Sequence, residues 1–201
     1  MKKLLLLAIP VLALSALSFM TGDPLPIGSA MPKADLKMKD VSGREISMSE
    51  ARNDNGLLVM FSCNTCPFVI KNQQRTLAIS NYAATQNVGV IILNSNEAQR
   101  DDADSFEAMK SYAKSQQYKC SYVLDKNNEV ADAFGANRTP ECFLFDKHLK
   151  LVYHGAIDDN PTDAAAVSRE HLKTAINELV AGKDISVKES RSVGCTIKRK
   201  S

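Results

Sequence analysis

Gly56-Leu-Leu-Val-Met-Phe61 is a continuous apolar run, and one residue later it meets Cys63-Asn-Thr-Cys-Pro67. This junction limits the chain more than any other feature. An apolar run of strand length without polar alternation fits a strand covered on both faces of a largely parallel sheet. Pro67 is tolerated in a helix only in its first turn, where its missing N–H costs little. The chain therefore passes from a buried strand into a helix across a pair of cysteines three positions apart. Asn64 or Thr65 is the expected helix cap.

The segments that follow continue the alternation. Phe68 to Ala84 has helical spacing, Asn87 to Leu93 is a second buried strand, and Asp104 to Gln117 is an amphipathic helix carrying Phe106, Met109, Tyr112 and Ala113. Tyr122 to Leu124 reads as a short strand, and Glu129 to Phe134 as a short helix ended at Gly135. Cys142 to Phe145 and Leu149 to Tyr153 form a hairpin, and Asp163 to Val180 is the expected last helix, closed by Gly182. Upstream, Ala34 to Asp40 and Arg44 to Met48 alternate apolar and polar side chains about the Ser42-Gly43 turn, a hairpin pattern. The reading is an α/β protein with a central mixed sheet flanked by helices and an N-terminal β-hairpin extension.

With 201 residues, 44% hydrophobic and 24% charged, the chain suits one domain with decorations. The expected division is a signal peptide over residues 1–20, an extended Gly- and Pro-rich lead-in over 21–32, a domain over 33–184 and a tail over 185–201. Lysines and arginines number 25 against 23 acids, and a net charge of +2 supplies no field of the kind a nucleic-acid binder uses. Met1-Lys2-Lys3 followed by the apolar stretch Leu4 to Phe19 reads as an export signal, with small residues Ala16 and Ser18 near a cut. The rival is an uncleaved membrane anchor, against which Pro10, Ser15 and Ser18 weigh. The expected location is outside the cytosol, in the periplasm, where disulfides persist.

Five cysteines follow the leader: Cys63, Cys66, Cys120, Cys142 and Cys195. Because five is odd, one thiol stays free, joins another molecule or alternates between partners. A thiolate is the attacking form, and a helix start favours it through unpaired amides and the dipole. Cys63, ahead of the cap, is expected to be the exposed, attacking thiol, and Cys66 to resolve the mixed disulfide. In the chain-entropy model a Cys63–Cys66 bridge stabilises by only about 2 kcal/mol, against about 3.4 kcal/mol for a Cys120–Cys142 bridge. That difference of about 1.4 kcal/mol is worth about 30 mV in a two-electron couple, so the short bridge is the better one for cycling. A zinc site would need a second cysteine pair or histidines in ligand spacing, and His148, His154 and His171 lack it.

The order strand, Cys-x-x-Cys-Pro, helix, strand, and later Arg138-Thr-Pro-Glu-Cys-Phe-Leu-Phe-Asp146, resembles the thioredoxin-like superfamily in its redoxin, peroxiredoxin-like branch. Ile27 to Pro32, Asp40 to Arg44, Ile157 to Asn160 and Gly194-Cys-Thr-Ile-Lys198 share in the resemblance, which runs from about Leu25 to Lys198. It implies a thioredoxin-like fold, a cis Thr139-Pro140 bond beside the cysteines positioning the incoming thiol or polypeptide, and no organic or metal cofactor. The implied activity is thiol-disulfide exchange, with exported protein thiols or disulfides and a membrane-linked thiol electron donor as partners. Two alternatives remain open: a thiol-dependent peroxidase, and a copper-delivery protein using Cys63, Cys66 and His154.

The chain departs from its relatives in two places. Thioredoxins carry a buried aspartate in the strand before the active site, where Met60 stands here; Glu97, Asp101 and Asp102 are weak substitutes. The peroxiredoxin threonine three residues before the attacking cysteine is missing, since counting back from Cys63 reaches Met60 and from Cys66 reaches Cys63; Arg138 is the candidate arginine. His154 reads as a surface histidine, Cys142 as a buried thiol, and Cys195 as a candidate third redox thiol reaching back from the tail.

Overall fold

The computed structural model describes residues 22–200; the leader expected over residues 1–20 lies outside them. The strands are β1 (Met38–Asp40), β2 (Glu45–Ile46), β3 (Gly56–Ser62), β4 (Val88–Asn94), β5 (Ser121–Leu124), β6 (Arg138–Thr139), β7 (Glu141–Phe145), β8 (Leu151–Gly155) and β9 (Cys195–Thr196). The α-helices are α1 (Met48–Ala51), α2 (Pro67–Thr85), α3 (Phe106–Ser115), α4 (Glu129–Phe134) and α5 (His171–Val180). Seven strands form one mixed sheet in the order β2-β1-β5-β4-β3-β7-β8, and β6 pairs separately with β9. β3, β4 and β5 run parallel to one another, while the remaining pairings are antiparallel.

The unbroken apolar run explains why β3 sits in the middle. Leu57, Val59 and Phe61 enter one core cluster, and Leu58 and Met60 enter the other, on the opposite face. All five are at most 1% exposed, and each such side chain stabilises the fold by about 1.5–3 kcal/mol. The first cluster is closed by α1, α4 and the lead-in residues Leu25 and Met31, and Phe61, Phe134 and Phe143 meet edge to face within it. The second is closed by Ile79 and Ala83 of α2, Met109 and Ala113 of α3, and Leu172, Ala175 and Ile176 of α5.

Several boundaries differ from the sequence expectation: the hairpin strands are shorter, Met48 opens α1 and does not end a strand, and two helix starts are moved by side-chain contacts. α2 is capped by the backbone of Cys66, with Pro67 at its first position, and Cys66 makes no side-chain cap bond. Asn64 does not cap because its side chain is committed elsewhere, donating to Ala103 O at 2.8 Å and accepting from Tyr122 Oη at 2.8 Å. The last helix begins at His171, well after Asp163. Ala164–Ala166 form a separate 3-10 turn, Val167 is extended, and Ser168 is held by the Asp159 carboxylate, which interrupts the helix. Gly135 ends α4 in the left-handed region at φ 62°, and a Cβ there would stand 1.9 Å from Asp23 O, so the glycine also admits the lead-in.

The tail is part of the core. Ile197 is 3% exposed within the first cluster, its N–H donates to Asn137 O at 3.0 Å, and Lys198 N donates to Asn96 Oδ1 at 2.9 Å.

Candidate active site

β3 ends at Ser62, and just beyond its C-terminal end Cys63 and Cys66 bracket the start of α2. β7 lies antiparallel to β3 with Glu141 opposite Phe61, which brings the preceding residues Thr139 and Pro140 over the cysteines. The Thr139–Pro140 peptide bond is cis, as the resemblance implies. Thr139 Oγ1 lies 3.5 Å from Cys63 Sγ, and Thr139 O lies 3.2 Å from Cys66 Sγ.

Cys66 is joined in a disulfide to Cys195, 129 residues away, with the two Cα atoms 6.0 Å apart. β9 delivers that sulfur by pairing with β6, Cys195 opposite Thr139 and Thr196 opposite Arg138. Cys63, Cys66, Val69, Phe68, Tyr112 and Cys195 form one small apolar cluster. Five of the residues singled out from the sequence, Cys63, Cys66, Thr139, Pro140 and Cys195, thus meet at one place. Cys120 and Cys142 are free thiols elsewhere: Cys142 is fully buried in β7, as expected, and Cys120 is partly buried.

The expectation that Cys63 is exposed is corrected. Its side chain is 1% exposed, against 4% for Cys66. Burial pushes its thiol above the ordinary value of 9.0; the Thr139 hydroxyl pulls it down, the Asp104 charge pushes it up, and the backbone amides of Cys66 and Thr65 pull it down. The helix-start amides act in the expected direction, and burial outweighs them in this closed arrangement.

Asp104 is the buried acid of the site. It is 0% exposed and accepts from Asn64 N at 2.9 Å, Asn94 Nδ2 at 2.6 Å and Asn96 Nδ2 at 2.9 Å. Tyr122 Oη links Asn94 to Asn64, so the Cys63 loop is fixed from below by a connected polar network. The sequence reading looked to Glu97, Asp101 and Asp102 in the same loop; the missed signal is that Asp104 directly precedes Ser105, the cap of α3.

Glu141 is the second missed residue. It is 4% exposed, and its Oε2 accepts from Asn137 N at 2.9 Å and Arg138 N at 3.0 Å, while its Oε1 lies 2.8 Å from His154 Nε2. One carboxylate thus orients the β6 segment that holds Thr139. His154 is buried at 8% exposure, which corrects the expectation of a surface histidine. Arg138 is exposed. Among the described residues no three His, Cys, Asp or Glu side chains are grouped to hold a metal; Cys66 is bonded to Cys195, and His154 Nε2 lies against the Glu141 carboxylate.

A central mixed sheet with helices on both faces, a Cys-x-x-Cys at the end of its central strand and a cis-proline against it define a thioredoxin-like fold. The Redoxin family profile matches residues 26–172, and the chain belongs to the Redoxin family. Among solved structures, an uncharacterized conserved protein from Geobacillus kaustophilus is 33% identical, with 87% of this chain and 93% of that one covered and a TM-score of 0.81. A hypothetical protein from Sinorhizobium meliloti 1021 is 30% identical, with 89% and 97% covered and a TM-score of 0.81. The thioredoxin domain of a thiol-disulfide oxidoreductase from Bacteroides vulgatus shares the fold at 20% identity, with 65% and 88% covered and a TM-score of 0.54. A search of curated proteins finds no match.

Proposed function

We propose that this Redoxin-family protein is an exported thiol-disulfide oxidoreductase that carries two electrons on Cys63 and Cys66. The carrying observation is the convergence of both sulfurs on one residue, Thr139, beside the cis-proline: its hydroxyl lies 3.5 Å from Cys63 Sγ and its carbonyl 3.2 Å from Cys66 Sγ. In the reducing direction the Cys63 thiolate attacks one sulfur of a partner disulfide and expels the other as thiolate. The Cys66 thiolate then attacks Cys63 Sγ, releasing the second partner thiol and leaving Cys63–Cys66 oxidised. The two expelled thiolates take up the two protons that Cys63 and Cys66 give away. The amides of Thr65 and Cys66 stabilise the Cys63 anion once the site opens to water, and the Thr139 carbonyl, 3.2 Å from Cys66 Sγ in the disulfide form, is placed to accept from the Cys66 thiol once that bond is reduced.

The partners are exported protein thiols or disulfides and a membrane-linked thiol donor, in keeping with the basic, apolar leader. Among the described residues no helix is long and apolar enough to cross a membrane. The peroxidase alternative is weaker on this geometry: Met60, buried in the core, stands where the peroxidase threonine would, and Arg138 is turned to solvent. A Cys66→Ser variant, reduced and mixed with a cysteine-peptide disulfide, should accumulate a mixed disulfide through Cys63. Recovery of the reduced variant with no adduct, or an adduct on Cys120 or Cys142 alone, would overturn the assignment.

A further inference from the structure

Three sulfurs occupy the site, whereas the exchange just described uses two. Cys195 reaches it by a built path. Beyond the cysteine, Ile197 is inserted in the core, Asn137 O and Asn96 Oδ1 accept from Ile197 N and Lys198 N, and Lys198 O accepts from Ala98 N at 2.9 Å. Before it, Ser190 N donates to His154 O at 3.0 Å and the Ser190 hydroxyl lies 2.6 Å from Tyr153 Oη. Between these two anchors the strand crosses the active site on β6, and Gly194 passes so close that a Cβ there would stand 2.2 Å from Thr139 O. A side chain at 194 has no room. The stretch 191–196 is therefore a strap pinned at both ends, with a glycine where it crosses and a cysteine bonded to Cys66.

We propose that Cys195 is a third catalytic sulfur, which exchanges with Cys63 for Cys66 and closes the site while it holds Cys66. The inference rests on the reading of Cys63 and Cys66 as the exchanging pair. The Cys63 thiol loses its proton, and its thiolate attacks Cys66 Sγ. A Cys63–Cys66 bond forms, the Cys66–Cys195 bond breaks, and Cys195 leaves as a thiolate that takes up a proton. The number of disulfides is unchanged, so no external oxidant or reductant enters the step. With Cys195 released, β9 loses its covalent tie to Cys66 and is held across the site by its pairing with β6 alone, a weaker closure between the two anchors. The Cys63 thiol is buried in the closed form and waits beside the bond it will attack.

The test uses the full chain with one disulfide formed per molecule, incubated across a range of pH, quenched by acid, alkylated and mapped by mass spectrometry. Wild type should contain both Cys66–Cys195 and Cys63–Cys66 bridges. Cys195 should become alkylable at a rate that rises about tenfold per pH unit below the Cys63 pKa, since the thiolate is the attacking form. Cys63→Ser should hold only Cys66–Cys195, with Cys195 protected throughout, and Cys195→Ser should hold only Cys63–Cys66. A wild type in which Cys195 is released no faster than in Cys63→Ser, or in which no bridge to Cys195 forms, would overturn the relay. Turnover of a peptide disulfide by the same wild-type sample separates the two readings. Turnover without Cys195 release defeats the relay and leaves the exchange reading; Cys195 release without turnover defeats the exchange reading on which the relay rests.

Discussion

Gly194→Ala isolates the contact between the strap and the active site. The added methyl group would lie 2.2 Å from Thr139 O and 2.7 Å from Thr139 C, both backbone atoms of a segment held by Glu141, so the strap must yield by about 1 Å. That displacement works against the β6–β9 pairing and against the bridge, whose Cα atoms are already 6.0 Å apart, while disulfides rarely span more than about 6.8 Å. Loss of two ladder hydrogen bonds at about 0.5–1.5 kcal/mol each removes about 1–3 kcal/mol from the closed form. At about 1.4 kcal/mol per factor of ten, the ratio of Cys66–Cys195 to Cys63–Cys66 should fall about 5- to 150-fold. Ile197 remains in the core, so the fold should survive. The assay is quantitative disulfide mapping of wild type and variant, with circular dichroism as the check on folding. A variant that is folded and keeps the wild-type ratio would show that the close passage of Gly194 does not control the bridge.

Asp104→Asn removes the negative charge that raises the Cys63 thiol pKa, so the pH profile of Cys63 alkylation in the reduced protein should move to lower pH; a shift upward would contradict the assigned electrostatics. Arg75→Met strands the buried Asp158 carboxylate, both of whose oxygens lie 2.7 Å from Arg75 Nη1. Breaking a buried pair costs about 3–5 kcal/mol, which for a chain of this size is a fall in Tm of about 6–20 °C by calorimetry. Alkaline stability follows from the thiols: burial raises Cys63 and Cys142 and pushes Cys120 up to about 12, each from 9.0. Between the unfolded and folded values the native chain binds more protons than the unfolded one, so stability is full below about pH 9 and falls as pH rises through and above it. Denaturant melts at rising pH should show this loss, and replacing Cys142 by Ala should reduce its steepness.

The parts of the fold that were legible in the sequence are those whose signal is local. β3 and β4 are unbroken apolar runs, and both turned out buried along their whole length. α3 was readable from its three- and four-residue spacing, and α4 from Gly135 at its end. The meeting of Thr139 and Pro140 with the cysteine pair followed from the family resemblance. What was hidden depends on depth and on distant segments. A strand-to-helix junction shows where Cys63 stands along the chain but not that it lies beneath other side chains. The bridge from Cys66 to Cys195 depends on Ile197 finding the core and on Gly194 slipping past Thr139, neither of which has a periodic signature. Asp104 and Glu141 look like any surface acid in a loop or beside a proline; only the amides gathered round them show that they are buried and structural. The last helix is shorter than the sequence suggests because three alanines carry helical propensity, while the Asp159–Ser168 contact that breaks it is tertiary.

The proposed chemistry requires that Cys63 and Cys66 act as one two-electron couple. The direct measurement is steady-state reduction of a peptide disulfide by the full-length protein, with a small-molecule dithiol as electron source, for wild type, Cys63→Ser and Cys66→Ser. Turnover in wild type that falls to the uncatalysed rate in both variants is the expected result. Turnover that persists when Cys63 is replaced would contradict it.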